Sequence, residues 1–361
     1  MKGLKNFIFK NKRVLVRSDF NVPLDKKRNI LDDFRIKATI PTIEYLVKKE
    51  AKVILMSHLG KPLEKIKNPG VKKYSLIKVA RRLEKLSGRP VKFLPDCIGE
   101  KVEKETEKIN AGEIILLENI RFYKEEEENN VNFAKKLAKL GDIYINNAFS
   151  VCHRQHASIT GIPKYLPSGA GFLLEKELKI LSQIIKKPKK PLVIIIGGSK
   201  AGSKAKAAEK FSEKADFLLL GNLIARELKG KKIENSEKIF FPIDGKNNND
   251  IGEKTIKLFK EKIFQAKTIF WAGPLGKIEE KEYQKGTREI ARAIIKSKVF
   301  SAIGGGDTIE FINKIGLIEK FNHVSVGGGA MLAFLSGEKL PGLEILRYGN
   351  KKSKKNGSKD S

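Results

Sequence analysis

Short β-branched runs recur along the chain, and the residues at their ends change in kind halfway. In the first half, Arg13-Val14-Leu15-Val16-Arg17 leads to Asp19 and Asn21, and Val53 to Met56 leads to Ser57-His58. Ile114 to Leu117 leads to Glu118-Asn119 and Arg121, and Ile143 to Ile145 leads on to His153 and Arg154. In the second half, five such runs end in glycine, at Gly197-Gly198, Gly221, Gly273, Gly304-Gly305-Gly306 and Gly327-Gly328-Gly329. Helical periodicity lies between the runs. Ser75 to Leu86 sets Leu76, Val79, Ala80, Leu83 and Leu86 on one face until Gly88 and Pro90 stop it, and Phe133 to Leu140 is a second amphipathic stretch closed by Gly141. Alternating strand and helix predicts an α/β fold of two doubly wound, Rossmann-like parallel-sheet domains joined by an interdomain helix hinge.

The expected first domain is 1–168, the helix and hinge 169–190, and the second domain 191–347. Gly169-Ala170-Gly171 opens the hinge helix, and the Lys186 to Pro191 breaker closes it. Residues 348–361, with nothing strongly apolar after Asn350, read as a disordered basic tail. Glu103 to Lys108 and Glu125 to Glu128 are charge runs that read as solvated faces without a function.

A length of 361 residues suits two domains. No apolar run approaches the roughly 20 residues of a membrane span, and Met1 to Asn11 lacks the apolar core of a signal peptide. The only cysteines, Cys97 and Cys152, fit a reducing compartment, so cytoplasm is the expectation. The net charge of +31 suggests nucleic acid, but the cations are mostly lysines spread along the chain without interleaved aromatics. They read as a solvated lysine-rich surface plus a basic cleft that steers anions inward.

Ligands of an open parallel sheet bind beyond the carboxyl ends of its strands. Arg17, Arg35, His58, Arg121, His153, Arg154 and His156 all fall there in the first half, or in the adjoining loops. Arginine forks match phosphate and carboxylate bidentately, so this set reads as a phosphate-binding patch. In the second half, Gly197-Gly198-Ser199-Lys200 with Lys204 sits at a strand-to-helix turn suited to phosphate, although the spacing is not a Walker motif. Asp307, after the Gly304 to Gly306 turn, reads as a Mg²⁺ ligand or as the cap of the next helix. Trp271 to Pro274, with Glu279, reads as a wall of a base and ribose pocket, or Trp271 as a core residue beside a turn.

In this order the motifs resemble the phosphoglycerate kinase family, from Arg13 to Leu346. The strings are Arg17 to Pro23, Asp32 to Ile36, Ser57 to Pro62, Glu118 to Phe122, His153 to Ser158, Gly171 to Leu178, Gly197 to Lys200, Trp271 to Glu279, Gly304 to Thr308 and Gly327 to Ala330. The resemblance implies reversible phosphoryl transfer from 1,3-bisphosphoglycerate to MgADP, by a monomer closing about its hinge, with no membrane or specific nucleic-acid partner. Asp19, Asn21, Arg35, His58, Arg121 and Arg154 would hold the phosphoglycerate. Lys200, Lys204, Gly273, Glu279, Gly304, Gly305, Gly306, Asp307 and Thr308 would hold ATP or ADP, with Asp307 on the magnesium. Arg35, Lys200 and Gly305 would serve the transfer itself. Lys61, Asn147, Ser203, Ala272, Val326 and Ala333 depart from the family pattern. Two rival functions compete with this one: a relative that binds nucleotide without transfer, or a nucleic-acid-binding protein.

Overall fold

The computed structural model describes residues 1–62, 73–199 and 201–352, and these divide into two compact units, Met1–Lys176 with the segment from Lys339 onward, and Glu177–Glu338. The fold class is the expected one, two α/β units each built on a parallel sheet.

The first unit has strands β1 (Arg13–Arg17), β2 (Lys52–Met56), β3 (Lys92–Phe93), β4 (Ile114–Leu116), β5 (Ile143–Asn146) and β6 (Ser168–Ala170) in the order β3-β4-β2-β1-β5-β6. Its helices are α1 (Phe34–Lys48), α2 (Ile77–Ser87), α3 (Glu100–Glu107), α4 (Lys124–Glu127), α5 (Val131–Ala138) and the start of α6 (Phe172–Lys186). Central strands covered on both faces need continuous apolar runs. Val14, Leu15 and Val16 of β1 are accordingly buried, with Val14 in register with Val53 and Ile143. The apolar stripe of α2 packs Val79, Ala80 and Leu83 into that core, and Gly88, at φ +66°, ends the helix in the left-handed conformation expected of a C-terminal glycine.

The second unit has β7 (Leu192–Ile196), β8 (Phe217–Leu220), β9 (Ile239–Phe240), β12 (Thr268–Ala272), β13 (Phe300–Gly304) and β14 (His323–Ser325), plus an antiparallel pair, β10 (Gly245–Lys246) and β11 (Asp250–Ile251). Its helices after α6 are α7 (Ala201–Ser212), α8 (Asn222–Leu228), α9 (Glu253–Gln265), α10 (Lys285–Ser297), α11 (Gly306–Lys314) and α12 (Gly328–Leu335). The sheet order β14-β13-β12-β7-β8-β9 is that of a dinucleotide-type doubly wound sheet, with its switch point between β7 and β12. In the first unit the corresponding reversal lies between β1 and β5.

Three readings of the chain are corrected. Ser168–Ala170 is an edge strand paired with β5, so Gly169 and Ala170 belong to the first sheet rather than to the opening of the hinge helix, and at Gly169 and Gly171 an added Cβ would strike Phe7 and Asn147 respectively, so close packing demands glycine. The division between units falls inside α6, after Lys176. Residues from Lys339 onward, expected in the second domain, return to the first unit, where Gly342 N donates to Cys152 O at 2.9 Å; the helix α13 (Pro341–Lys352) continues into the expected tail, whose remainder, 353–361, lies outside the described residues.

Candidate functional site

The carboxyl ends of β1, β2, β4 and β5 carry the first cluster. Arg17 closes β1 and is fully buried. Its Nε donates to Ser158 Oγ at 2.9 Å, its Nη1 to Ser18 O at 2.5 Å, and its Nη2 meets His58 Nδ1 at 3.2 Å. Asp19, two residues on, is ion-paired with Arg35 of α1 and accepts from the Ser150 hydroxyl and from Asn21 N. Asn21 Oδ1 accepts from Gly60 N at 2.8 Å, and Arg121 Nη1 donates to Gly60 O at 3.0 Å, so the loops after β1, β2 and β4 are tied together. Arg121 Nε lies 3.1 Å from Glu127. Arg154 is half-buried and has no carboxylate partner among the described residues.

Burial beside these cations sets the protonation states. Burial, then Arg17 and Arg121, holds His58 well below 6.5. Burial and then Arg121 pulls His156 down to about 3, and burial and then Arg154 lowers His153. Arg121 itself is lowered to about 10, chiefly by burial, and so stays a cation at neutral pH. The cluster therefore presents permanent arginine charge with neutral imidazoles among it. The Nδ1 atoms of His153 and His156 are buried without a hydrogen-bond partner, that of His156 lying 3.7 Å from Glu126 Oε1. Cys152 is a core residue: burial pushes its thiol up to about 12, and its Sγ lies between Asn146 Nδ2 and Ala148 O.

In the second unit the switch point opens into a cleft of about 260 Å³, lined among others by Gly198, Ser199, Gly221, Leu275, Glu279 and Asp307. The turns after β7 and β12 approach so closely that only glycine fits. Gly273 has φ +99°, and an added Cβ would overlap Gly197 O. Lys204 of α7 places its Nζ 2.5 Å from Gly197 O, at the same turn. Gly304 ends β13, Gly305 turns at φ +94°, and Gly306 opens α11. Asp307 is exposed in the first helical turn, so the capping alternative fails: the cap position is Gly305. Thr308 is buried with its hydroxyl accepting from Gly273 N at 2.9 Å, which couples the two glycine turns rather than facing the cleft.

Trp271 is a core residue, not a pocket wall. It is fully buried, with Nε1 donating to Gly273 O at 2.8 Å. Ala272 is buried on the same strand. Asn147 keeps the acceptor function expected of an aspartate there, taking hydrogen bonds from Thr42 Oγ1 at 3.1 Å and Leu173 N at 3.0 Å, while its Nδ2 is left unpartnered. Val326 takes part only through its backbone, donating to Glu177 Oε1 at 2.8 Å. Lys200 lies outside the described residues. The residues missed in the sequence are Ser150, Ser158 and Glu126 around the first cluster, and Asn222 and Leu223 in the cleft. Only the last two carry a local signal, since they come directly after the strand-end Gly221.

Clustered arginines at one switch point and a glycine-turned cleft at the other are what a kinase-type phosphotransferase with two anionic ligands would need. A family model for phosphoglycerate kinase matches residues 4–240 and 223–338. A phosphoglycerate kinase of Borrelia hermsii is 42% identical over 96% of this chain and 99% of its own length, and one of Coprothermobacter proteolyticus is 40% identical over 96% and 98%. The crystal structure of phosphoglycerate kinase from Pyrococcus horikoshii OT3 matches with a TM-score of 0.87 and 31% identity, covering 98% of this chain and all of that one. The structure of the Coxiella burnetii phosphoglycerate kinase matches at 0.79 and 33%, covering 96% and 98%. The chain belongs to the phosphoglycerate kinase family.

Proposed function

We propose that the protein transfers a phosphoryl group reversibly between 1,3-bisphosphoglycerate and ADP, giving 3-phosphoglycerate and ATP, with a carboxylate oxygen as acceptor in the reverse direction. One observation supports this above the others: the unit with clustered arginines and the unit with bare glycine turns each present them at a topological switch point.

Arg35, Arg121 and Arg154 would take the phosphate and carboxylate of phosphoglycerate through their forks, with Asn21 and His58 adding neutral contacts. Asp19 belongs to this set, and its carboxylate also orients Arg35. Lys204 and the turn Gly304 to Gly306 leading into α11 would hold nucleotide phosphates, Gly273 would let them approach the backbone, and Glu279 would meet the ribose hydroxyls. Thr308 keeps its place in this set as the link between the turns. Arg35, Lys200 and Gly305 would serve the transfer itself, the two cations offsetting the charge that the transition state spreads over the equatorial oxygens. The acceptor is already anionic, so no general base is needed, in keeping with imidazoles that stay neutral.

Among the described residues no group of three or more acidic, histidine or cysteine side chains could hold a metal alone. That fits Mg²⁺ arriving with the nucleotide, because magnesium commonly takes one or two protein carboxylates plus phosphate oxygens. Asp307, exposed at the cleft, would receive it. Bound there, the ion would neutralise charge on the transferring phosphates. The two free, buried cysteines favour a cytoplasmic setting, and among the described residues no helix is long and apolar enough to cross a membrane. We expect a monomer.

The test is ATP consumption with 3-phosphoglycerate and Mg²⁺, coupled to a reductase that removes 1,3-bisphosphoglycerate. Wild-type turnover should fall roughly 1,000-fold in Arg35→Ala, the scale of losing one transition-state arginine. ATP binding without turnover would instead mean that departures such as Ala272 and Ser203 have left a nucleotide binder.

A further inference from the structure

Behind the arginine cluster lies a buried relay that begins at a carboxylate in an otherwise ordinary acidic run. Glu126 of α4 is fully buried, although Lys124, Glu125 and Glu128 around it are not. Both its oxygens are used by one residue: Oε2 accepts from Ser158 N at 2.8 Å, and Oε1 from Ser158 Oγ at 2.5 Å. A hydroxyl has one proton to give. Ser158 Oγ spends it on Glu126, so its lone pairs face Arg17, whose Nε donates to it at 2.9 Å. Ser158 is pinned from its other side by the Tyr144 hydroxyl, which donates to Ser158 O at 2.7 Å.

The relay then reaches His58. A guanidinium carries only N–H groups, so the 3.2 Å contact between Arg17 Nη2 and His58 Nδ1 has one sense: Nδ1 is the acceptor and carries no hydrogen. A neutral imidazole with a bare Nδ1 has its hydrogen on Nε2. We propose that Glu126 and Ser158 are positioning residues that, through Arg17, hold His58 in the Nε2–H tautomer, so that the imidazole offers the bound anion a single N–H donor. This rests on the reading of the cluster as the phosphoglycerate site. The groups facing His58 agree with a neutral ring: Arg17 from β1, Arg35 from α1, Arg121 from the turn after β4, and His156. A second proton would add a cation among three guanidinium groups. Burial lowers Arg17 and raises Glu126, and each partly offsets that effect on the other.

The test uses the full chain labelled with ¹⁵N-histidine, without ligand, in long-range proton–nitrogen correlation spectra. His58 should show hydrogen on Nε2 alone and no titration between about pH 5.5 and 8, across the range in which a free imidazole changes charge. Ser158→Ala should produce a tautomer mixture or a visible titration at His58. It should also raise KM for 3-phosphoglycerate roughly tenfold, the scale of a lost hydrogen bond to a charged group, without moving KM for ATP. Ser158→Thr, which keeps the hydroxyl, should restore both readouts. Wild-type His58 protonated on Nδ1 would overturn the proposal whether or not the variants fold, and so would a Ser158→Ala protein with an unchanged His58 spectrum. If the wild-type tautomer is as stated but added 3-phosphoglycerate leaves the His58 signals unmoved, the relay stands and the substrate reading falls.

Discussion

The two units build their strand-end clusters in opposite ways. The first does it with side chains: Arg17, Asp19, Asn21, Arg121 and Glu126 are tied to one another or to the backbone, so each is held by several partners. The second does it with backbone. Its turns at Gly197, Gly273 and Gly305 are shaped by the absence of Cβ atoms, and the charged side chains lining its cleft, Lys277, Glu279 and Asp307, are exposed. Substitutions should therefore spread their effects in the first unit. In the second they should either break a turn or remove one contact.

The largest expected effect is at Gly273. Gly273→Ala combines a left-handed φ with overlap onto Gly197 O, and should cost about 4 kcal/mol of stability, summing backbone strain and overpacking. Urea unfolding and ATP titration should both register the loss, while 3-phosphoglycerate binding persists. Equal loss of both ligands would erase the contrast between the units.

Asp307→Asn should do less, because Asp307 is exposed in the first turn of its helix. KM for MgATP should rise between about tenfold and a hundredfold, with the unfolding midpoint unmoved. A variant that also lost 3-phosphoglycerate affinity would show that the carboxylate acts beyond its own cleft.

The smallest effect sharpens the account of the first unit. His156 titrates at about 3 when folded, whereas a free histidine takes its proton near 6.5. Between those values the unfolded chain binds a proton that the folded chain refuses, so stability rises with pH across that window and is level above it. His58 and His153 are displaced in the same direction. His156→Gln should flatten the slope of the urea midpoint between about pH 4.5 and 6.5. An unchanged slope would assign the acid lability to the other two imidazoles or to carboxylates.

Much of this site is legible in the chain because its signals are local. Arg17, His58, Arg121 and Arg154 lie at strand ends or in strand-end turns, and a parallel sheet gathers such positions on one edge whatever else the fold does. Gly273 and Gly305 are legible for the same reason, as glycines at strand-to-helix turns. Glu126 is not. Its run, Glu125-Glu126-Glu127-Glu128, reads as a solvated face, and only the packing of α4 against the segment Ala157–Gly161 puts one of the four beside Arg17. Trp271 misleads in the opposite sense, since a Trp-Ala-Gly-Pro string suits a pocket wall as well as a core strand.

The amino-acid sequence by itself determined the class of fold, the strand ends that carry cations and those that carry glycine, and the chemistry such ends can perform. Each depends on periodicity or on a neighbour within a few residues. Tertiary structure alone decided which acidic residue of a run is buried, and that the segment from Lys339 returns to the first unit to lie beside Cys152. It also decided that Gly169 and Gly171 serve close packing at Phe7 and Asn147. Those outcomes hang on contacts between segments distant in the chain, or on what lies over a helix face, and no local pattern encodes what will cover it.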